Sequence, residues 1–275
     1  MTDNDSTISE AADAAEAASN TKALDVVARS GFAVMALLHI ILGAIAIALA
    51  FGHPGQAEPT GAIEQLAANP WGPALMWAGM VGCAGLSLWQ LSEATLRARH
   101  LPRKERIGKL ISSGFLAVAY GSIGLSFGGF AVGLRGDSGE STKDVSAALL
   151  SNPLGGVLLS ALGLTVIGVG IYFVVKGVRR GFKEELFHFE GTRRGKLIDT
   201  LGVTGHVAKG IALFLAGLLF AIAAAKHTPE ESTGLDGSLQ ALRDHDYGPY
   251  LLFAIGAGFI CYGIFALVRS KFGRM

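Results

Sequence analysis

Charge is scarce in this chain and cysteine scarcer. Of its 275 residues 16% are Asp, Glu, Lys or Arg and two are cysteines, against 51% that are hydrophobic. Soluble domains carry about 25% charged residues, so this balance, with a mean hydropathy of +0.45, excludes an ordinary soluble globule and points to a membrane protein. Cys83 and Cys261 both fall inside apolar runs; two such residues make no disulfide framework or thiolate metal site and read as small packing residues. Also missing are a P-loop, a GxSxG elbow, a Rossmann fingerprint on a strand, HExxH and paired CxxC, so the chemistries that need those residues have no footing. The first twenty residues hold five acids and no base. A secretory signal opens with positive charge, so residues 1–24 read as a retained, acidic, Ala-rich tail, mostly disordered and cytoplasmic.

What the chain has is six long intervals between charges: 30–57, 65–92, 110–134, 145–175, 200–225 (interrupted by Lys209) and 247–268. Each supplies the roughly 20 residues that cross a hydrocarbon core of about 30 Å. Their length, and their lack of strand alternation, predict helices, which satisfy their own backbone in lipid. Eighteen Lys and Arg fall in the N-terminal segment, the 93–109 and 176–199 loops and the C-terminus, against Arg135, Lys143, Lys226 and Arg243 on the other side. The positive-inside rule then predicts cytoplasmic N- and C-termini in a bacterial inner membrane. The basic loops read as topology signals that contact anionic lipid headgroups and not as a nucleic-acid surface.

A unit recurs three times. NPWGPALMWAG, NPLGGVLLSAL and HDYGPYLLFAI align on Gly72, Gly155 and Gly248, which follow Gly31, Gly114 and Gly205 by 41, 41 and 43 residues. The repeats are expected over 25–97, 107–180 and 198–270, two spans each, all entering the membrane in the same sense. Parallel repeats predict an all-α bundle of three hairpins with approximate threefold symmetry about the membrane normal. Asn-Pro ahead of Gly72 and Gly155 predicts an Asn cap with Pro in the first turn, Asp246 and Pro249 standing in for them in the third copy. Before each cap, apolar residues three apart predict a short amphipathic helix lying on the membrane surface. Trp89, Tyr172 and Phe265, seventeen residues after each aligned glycine, predict an interfacial belt, and Glu93, Lys176 and Arg269 mark the boundary. Gly124 and Gly128 form a GxxxG pair; with Gly72, Gly155 and Gly248 they are assigned to helix packing.

Three tandem two-span units with Asn69-Pro70-Trp71-Gly72 and Asn152-Pro153-Leu154-Gly155 opening the second helix resemble a family of bacterial, largely actinobacterial, membrane proteins classed as a domain of unknown function repeated three times. The resemblance covers residues from about 25 to 270. It implies a bacterial inner-membrane protein of this architecture and transfers no catalytic residue.

Ionisable groups inside spans are functional candidates by default. His39 lies eight residues, about 12 Å, past Gly31, too deep for an imidazole to reach headgroups, and needs a hydrogen-bond partner. Tyr120, Ser122 and Ser126 lie at similar depth and complete a candidate polar site. Lys209 and His206 are shallower and read as interfacial, with Lys209 snorkelling, while Glu93 is expected in a surface ion pair with Lys209 or nearby arginines. His39 and His206 differ in depth by about 10 Å, which excludes haem held between them. His245 between Asp244 and Asp246 reads as a solvated loop, so no metal, cofactor or catalytic residue is expected. A non-catalytic protein that packs with partners or modulates the envelope fits these features best, with a homo-oligomer or another membrane protein as partner. The alternative is a small-solute or ion channel or transporter along the repeat axis, and an enzymatic or redox role is the third class.

Overall fold

The computed structural model describes residues 22–134, 138–186 and 193–273. Residues 1–21 of the expected tail lie outside them, and Lys22 to Leu24 already belong to the first helix. The helices are α1 (Lys22–Ala50), α2 (Pro59–Ala67), α3 (Gly72–Thr95), α4 (Arg103–Ala131), α5 (Ser138–Leu150), α6 (Gly155–Val178), α7 (Arg193–Lys226), α8 (Gly234–Arg243) and α9 (Gly248–Phe272). Six of them, α1, α3, α4, α6, α7 and α9, are long and apolar enough to cross a membrane. The chain is a multi-pass, all-helical membrane protein with no β-sheet among the described residues.

Each repeat is a long helix, a short helix and a second long helix, and the three turns into the second long helix are the same to within a few degrees. The residues before the aligned glycines, Trp71 (φ −89°, ψ 5°), Leu154 (φ −93°, ψ −2°) and Tyr247 (φ −97°, ψ 2°), share one bridge-region conformation. In each copy the glycine amide donates to the carbonyl three residues back: Gly72 to Asn69 at 2.8 Å, Gly155 to Asn152 at 2.9 Å, Gly248 to His245 at 2.8 Å. A Cβ on any of these glycines would run into the last carbonyls of the preceding short helix, at Ala67, Leu149 and Leu242. Their role is the tight turn between helices, where only a hydrogen atom fits, and not the packing of one long helix on another. The Asn expectation also changes. Asn69 and Asn152 donate their side-chain amides to Gln65 and Ala148, at 3.0 and 2.9 Å, so they close the end of the short helix instead of capping the start of the long one.

Going round the bundle, the long helices follow the order α4, α3, α1, α9, α7, α6. The contacts between successive repeats are the extensive ones: α3 with α4, α6 with α7, α9 with α1. Two of these are built on facing glycines. Gly43 meets Gly256, and Gly217 and Gly210 meet Gly163 and Gly170, so closely that a methyl on any of them would strike the opposite backbone. In the third, Met80 and Ser126 occupy the positions of the first glycine pair, and α4 approaches through Gly124 against Cys83 and Gly128 against Met80. Arg29 ties α1 to the end of α9, donating to the carbonyls of Ser270, Lys271 and Gly273 at 3.1 Å each.

Within repeats the symmetry breaks. In the first, Gly31 lies against Gly82 and Leu86; in the third, Gly205 lies against Tyr262 and Gly258 against Ala208. In the second, a Cβ on Gly114 or on Gly168 would meet nothing within 4 Å, and α4 and α6 barely touch. The residue aligned with Gly82 and Gly258 is Thr165, which is exposed and bonds its own helix at Ala161. A β-branched residue thus stands where the other two copies have the glycine that lets their helices close, and it fronts the gap. The bundle is a threefold ring with one hairpin open.

The short helices α2 and α8 bury one face against the bundle. Thr60, Gly61, Ala62, Ile63 and Leu66 of α2 are buried, as are Ser238 and Leu239 of α8. The two helices fold over one end of the bundle, joined where Asp236 accepts the Ala57 amide at 2.7 Å. The aromatic belt is likewise rearranged. Trp89 and Phe265 are buried, and Tyr172, on the open hairpin, is exposed. The exposed rings Trp71, Tyr247 and Tyr250 lie instead at the turns of the short-helix end.

Candidate functional site

The open hairpin leaves a cleft of about 830 Å³ between α4 and α6, floored by α3 and α9. Its walls are apolar along Phe115, Leu116, Val169 and Phe173, and its rim at the basic end carries Arg97, Lys109, Lys176 and Arg269 with Glu93 and Glu184. Glu93 is nearly buried and takes both Arg97 and Lys109 (2.6 Å) on its carboxylate oxygens. Of the expected partners the nearby arginine is present and Lys209 is not; Lys109 takes its place, and Glu93 is nearly buried where a surface pair was expected. Arg269 stacks its guanidinium 4.3 Å from the centroid of the Phe32 ring, and Lys176 stands 5.8 Å from that of Tyr172. Three of these residues, Glu93, Lys176 and Arg269, are boundary charges by their spacing in the sequence; the open hairpin gathers them at one mouth.

Deeper in, a second cavity of about 210 Å³ adjoins the cleft through shared walls at Phe115, Leu116, Tyr120, Val169 and Phe173. Residues of α1, α4, α6, α7 and α9 line it, so it is central to the bundle, and Pro59 and Leu235 of the two short helices close it at the far end. His39, Tyr120 and Lys209 all face this space. Of the expected polar site, then, His39 and Tyr120 share a cavity, while Ser122 and Ser126 bond carbonyls of their own helix, at Val118 and Ser122.

His39 finds its partner at home: Nδ1 donates to the Met35 carbonyl at 2.7 Å, one turn back. A carbonyl only accepts, so the proton sits on Nδ1, and a neutral ring keeps Nε2 as its acceptor. The ring packs at 4.6 Å on Tyr262 and 6.1 Å on Phe259, both from α9.

Lys209 does not snorkel. Its ammonium lies 4.3 Å from the Tyr262 ring and 4.9 Å from the Phe173 ring, and among the described residues no carboxylate pairs with it. Two electron-rich faces hold the cation inward where the sequence suggested an outward reach. His206, expected at the interface, is 1% exposed. It bonds the Gly202 carbonyl at 2.7 Å and stacks on Phe182 at 5.1 Å, with Tyr262 and Phe265 edge-on. Sequence reasoning missed this box because its walls come from three elements far apart in the chain.

The indole N–H of Trp89 is buried with no hydrogen-bond partner among the described residues, and other atoms of Trp89 line the cleft. Among the described residues no cluster of three or more His, Cys, Asp or Glu has the arrangement to hold a metal ion.

Comparison with known proteins gives three findings. The model of the family described as Domain of Unknown Function (DUF1206) matches residues 30–97, 111–180 and 204–273. A protein of Bacillus subtilis (strain 168), described as "Uncharacterized protein YxxB", is 27% identical over 252 residues, covering 90% of each chain. No solved structure matches.

Proposed function

We propose that this chain, which belongs to the family described as Domain of Unknown Function (DUF1206), is a non-catalytic interaction protein of the bacterial inner membrane that works through its open second hairpin. The observation that carries this reading is the contrast between one open seam and a stoppered axis: the cleft opens sideways between α4 and α6, while the central cavity ends against Pro59 and Leu235. A molecule reaching this site comes sideways from the bilayer, not end-on through a pore. The apolar walls favour binding. The charge distribution along the chain supports cytoplasmic N- and C-termini, which puts the cleft rim in the inner leaflet.

The alternative is a channel or transporter along the repeat axis, favoured by the His39, Tyr120 and Lys209 groups in the central cavity. It requires α2 and α8 to lift away from the end of the bundle. Purified protein in liposomes tests the two. The interaction reading expects no passage of ions or small solutes beyond that of empty vesicles, whereas saturable flux abolished by Lys209→Leu would replace it with transport.

A further inference from the structure

We infer that the central cavity holds a short single-chain fatty acid, its carboxylate paired with the Lys209 ammonium. The inference goes beyond the cleft and does not depend on what the cleft binds. Three observations carry it. First, an unpaired cation: among the described residues the Lys209 ammonium meets the ring faces of Tyr262 and Phe173 and makes neither an ion pair nor a hydrogen bond. Ring faces recover only part of what an ammonium loses on leaving water, and a charge inside a span is ordinarily matched by a counter-charge. The ammonium also keeps open surface. The buried polar atoms without a partner among the described residues are Trp89 Nε1 and Thr228 Oγ1, and Lys209 Nζ is not one of them. Lys209 is half-buried although it lines a cavity walled by five helices, so what it faces is the space inside the bundle.

Second, size: the cavity measures about 210 Å³. A cavity of about 150 Å³ admits a six-carbon ring, so this one has room for roughly eight carbons. Along α1 its lining runs from Met35 to Leu42, a helix length of about 10 Å. One short chain fits there and a two-chain lipid does not. Third, the order of polarity: Lys209 follows Gly205 by four residues as Met35 follows Gly31, which places the cation at the basic end of the cavity. Beyond it the walls are apolar at Leu38, Leu42, Ile123 and Phe259, up to Pro59 and Leu235. His39 stands midway with its N–H given to the Met35 carbonyl; its other ring nitrogen accepts, so it offers nothing to a second anionic group. An inorganic anion would leave most of the cavity empty, and a neutral hydrocarbon would leave the ammonium unmatched. A monoanion with an apolar tail satisfies both.

Binding of radiolabelled octanoate to the full chain in phosphatidylcholine nanodiscs, measured against empty nanodiscs, tests this. The expected result is one saturable site per chain. Octanol, at equal concentration in the bilayer, should displace the label about tenfold less well than octanoate, the effect of one charge-assisted pair. Acetate, which lacks the methylenes of the tail, should compete at least about a hundredfold less well. Lys209→Gln should weaken octanoate about tenfold and leave octanol unchanged. Ala119→Phe, which fills the cavity from a half-buried position on α4, should abolish binding of both. Equal displacement by octanol, or a folded Lys209→Gln that holds octanoate as before, overturns the pairing with Lys209; if that variant does not fold, the octanol comparison on the unaltered chain decides alone. Acetate competing as well as octanoate overturns the tail. No saturable octanoate, or binding that Ala119→Phe leaves in place, overturns the site itself.

Discussion

Asp236 accepts the backbone amide of Ala57 at 2.7 Å across 179 residues of sequence. Its other carboxylate oxygen takes the Gln240 side chain at 2.6 Å. One side chain thus fastens the loop of the first hairpin to the short helix of the third, and with it the lid over the central cavity. Asp236→Ala leaves the part-buried Ala57 N–H without this acceptor and should cost about 1–3 kcal/mol. Asp236→Asn keeps an oxygen there and should cost less. Thermal unfolding in detergent, followed by circular dichroism, ranks the two; equal midpoints would show that the lid adds nothing to stability.

Gly31 and Gly114 are the same position in copies one and two, yet their surroundings differ. Gly31→Ala pushes a methyl into the Gly82 carbonyl and the Leu86 side chain, an overpacking worth about 1–3 kcal/mol. Gly114→Ala meets open space and should be neutral or raise stability by up to about 1 kcal/mol through helix propensity. A matched pair of unfolding curves decides whether the second hairpin is open in the membrane-extracted protein. Equal destabilisation by both substitutions would close it.

His39 bonds its own helix and packs on two rings of α9, so its imidazole acts mainly as a wedge between α1 and α9. His39→Leu is close to volume-conserving and should change stability by less than about 1.5 kcal/mol. A loss well beyond that range in thermal unfolding would show that the imidazole carries an interaction leucine cannot replace.

Topology has a direct readout. His53, Glu140 and Glu230 are exposed at the short-helix end, and Lys104 is exposed at the basic end. In cells, cysteines introduced at 53, 140 and 230 should react with an impermeant maleimide, and one at 104 should react only after permeabilisation. The reverse pattern would place the basic loops outside.

The spans and the repeat were legible because hydrophobic length and a fixed spacing are one-dimensional signals. Lys209 was misplaced because its partners, the Tyr262 and Phe173 rings, come from other helices, and a charge near a span end reads by default as snorkelling. The glycines at 72, 155 and 248 stand at aligned positions, but their neighbours are the carbonyls that end the short helices: sequence shows that a side chain is absent, not which atom occupies the space. The open hairpin did leave a mark. Thr165 stands in the column of Gly82 and Gly258, and weighing that column by volume, instead of by periodicity alone, would have singled out the second copy.

A ring with a single gap concentrates its compliance there. Five helix contacts join α4 to α6 the long way round, and the interface glycines at Gly43, Gly163 and Gly217 set how closely the neighbours approach. A small rotation at one contact shifts the helices beyond it and so the distance between α4 and α6, within the limit set by α5, which joins them at the short-helix end and packs on α6. Residues on the opposite side of the molecule, where α1 crosses α9, therefore set the width of a mouth they never touch, and a slightly bulkier side chain at Gly43 would be felt at Thr165.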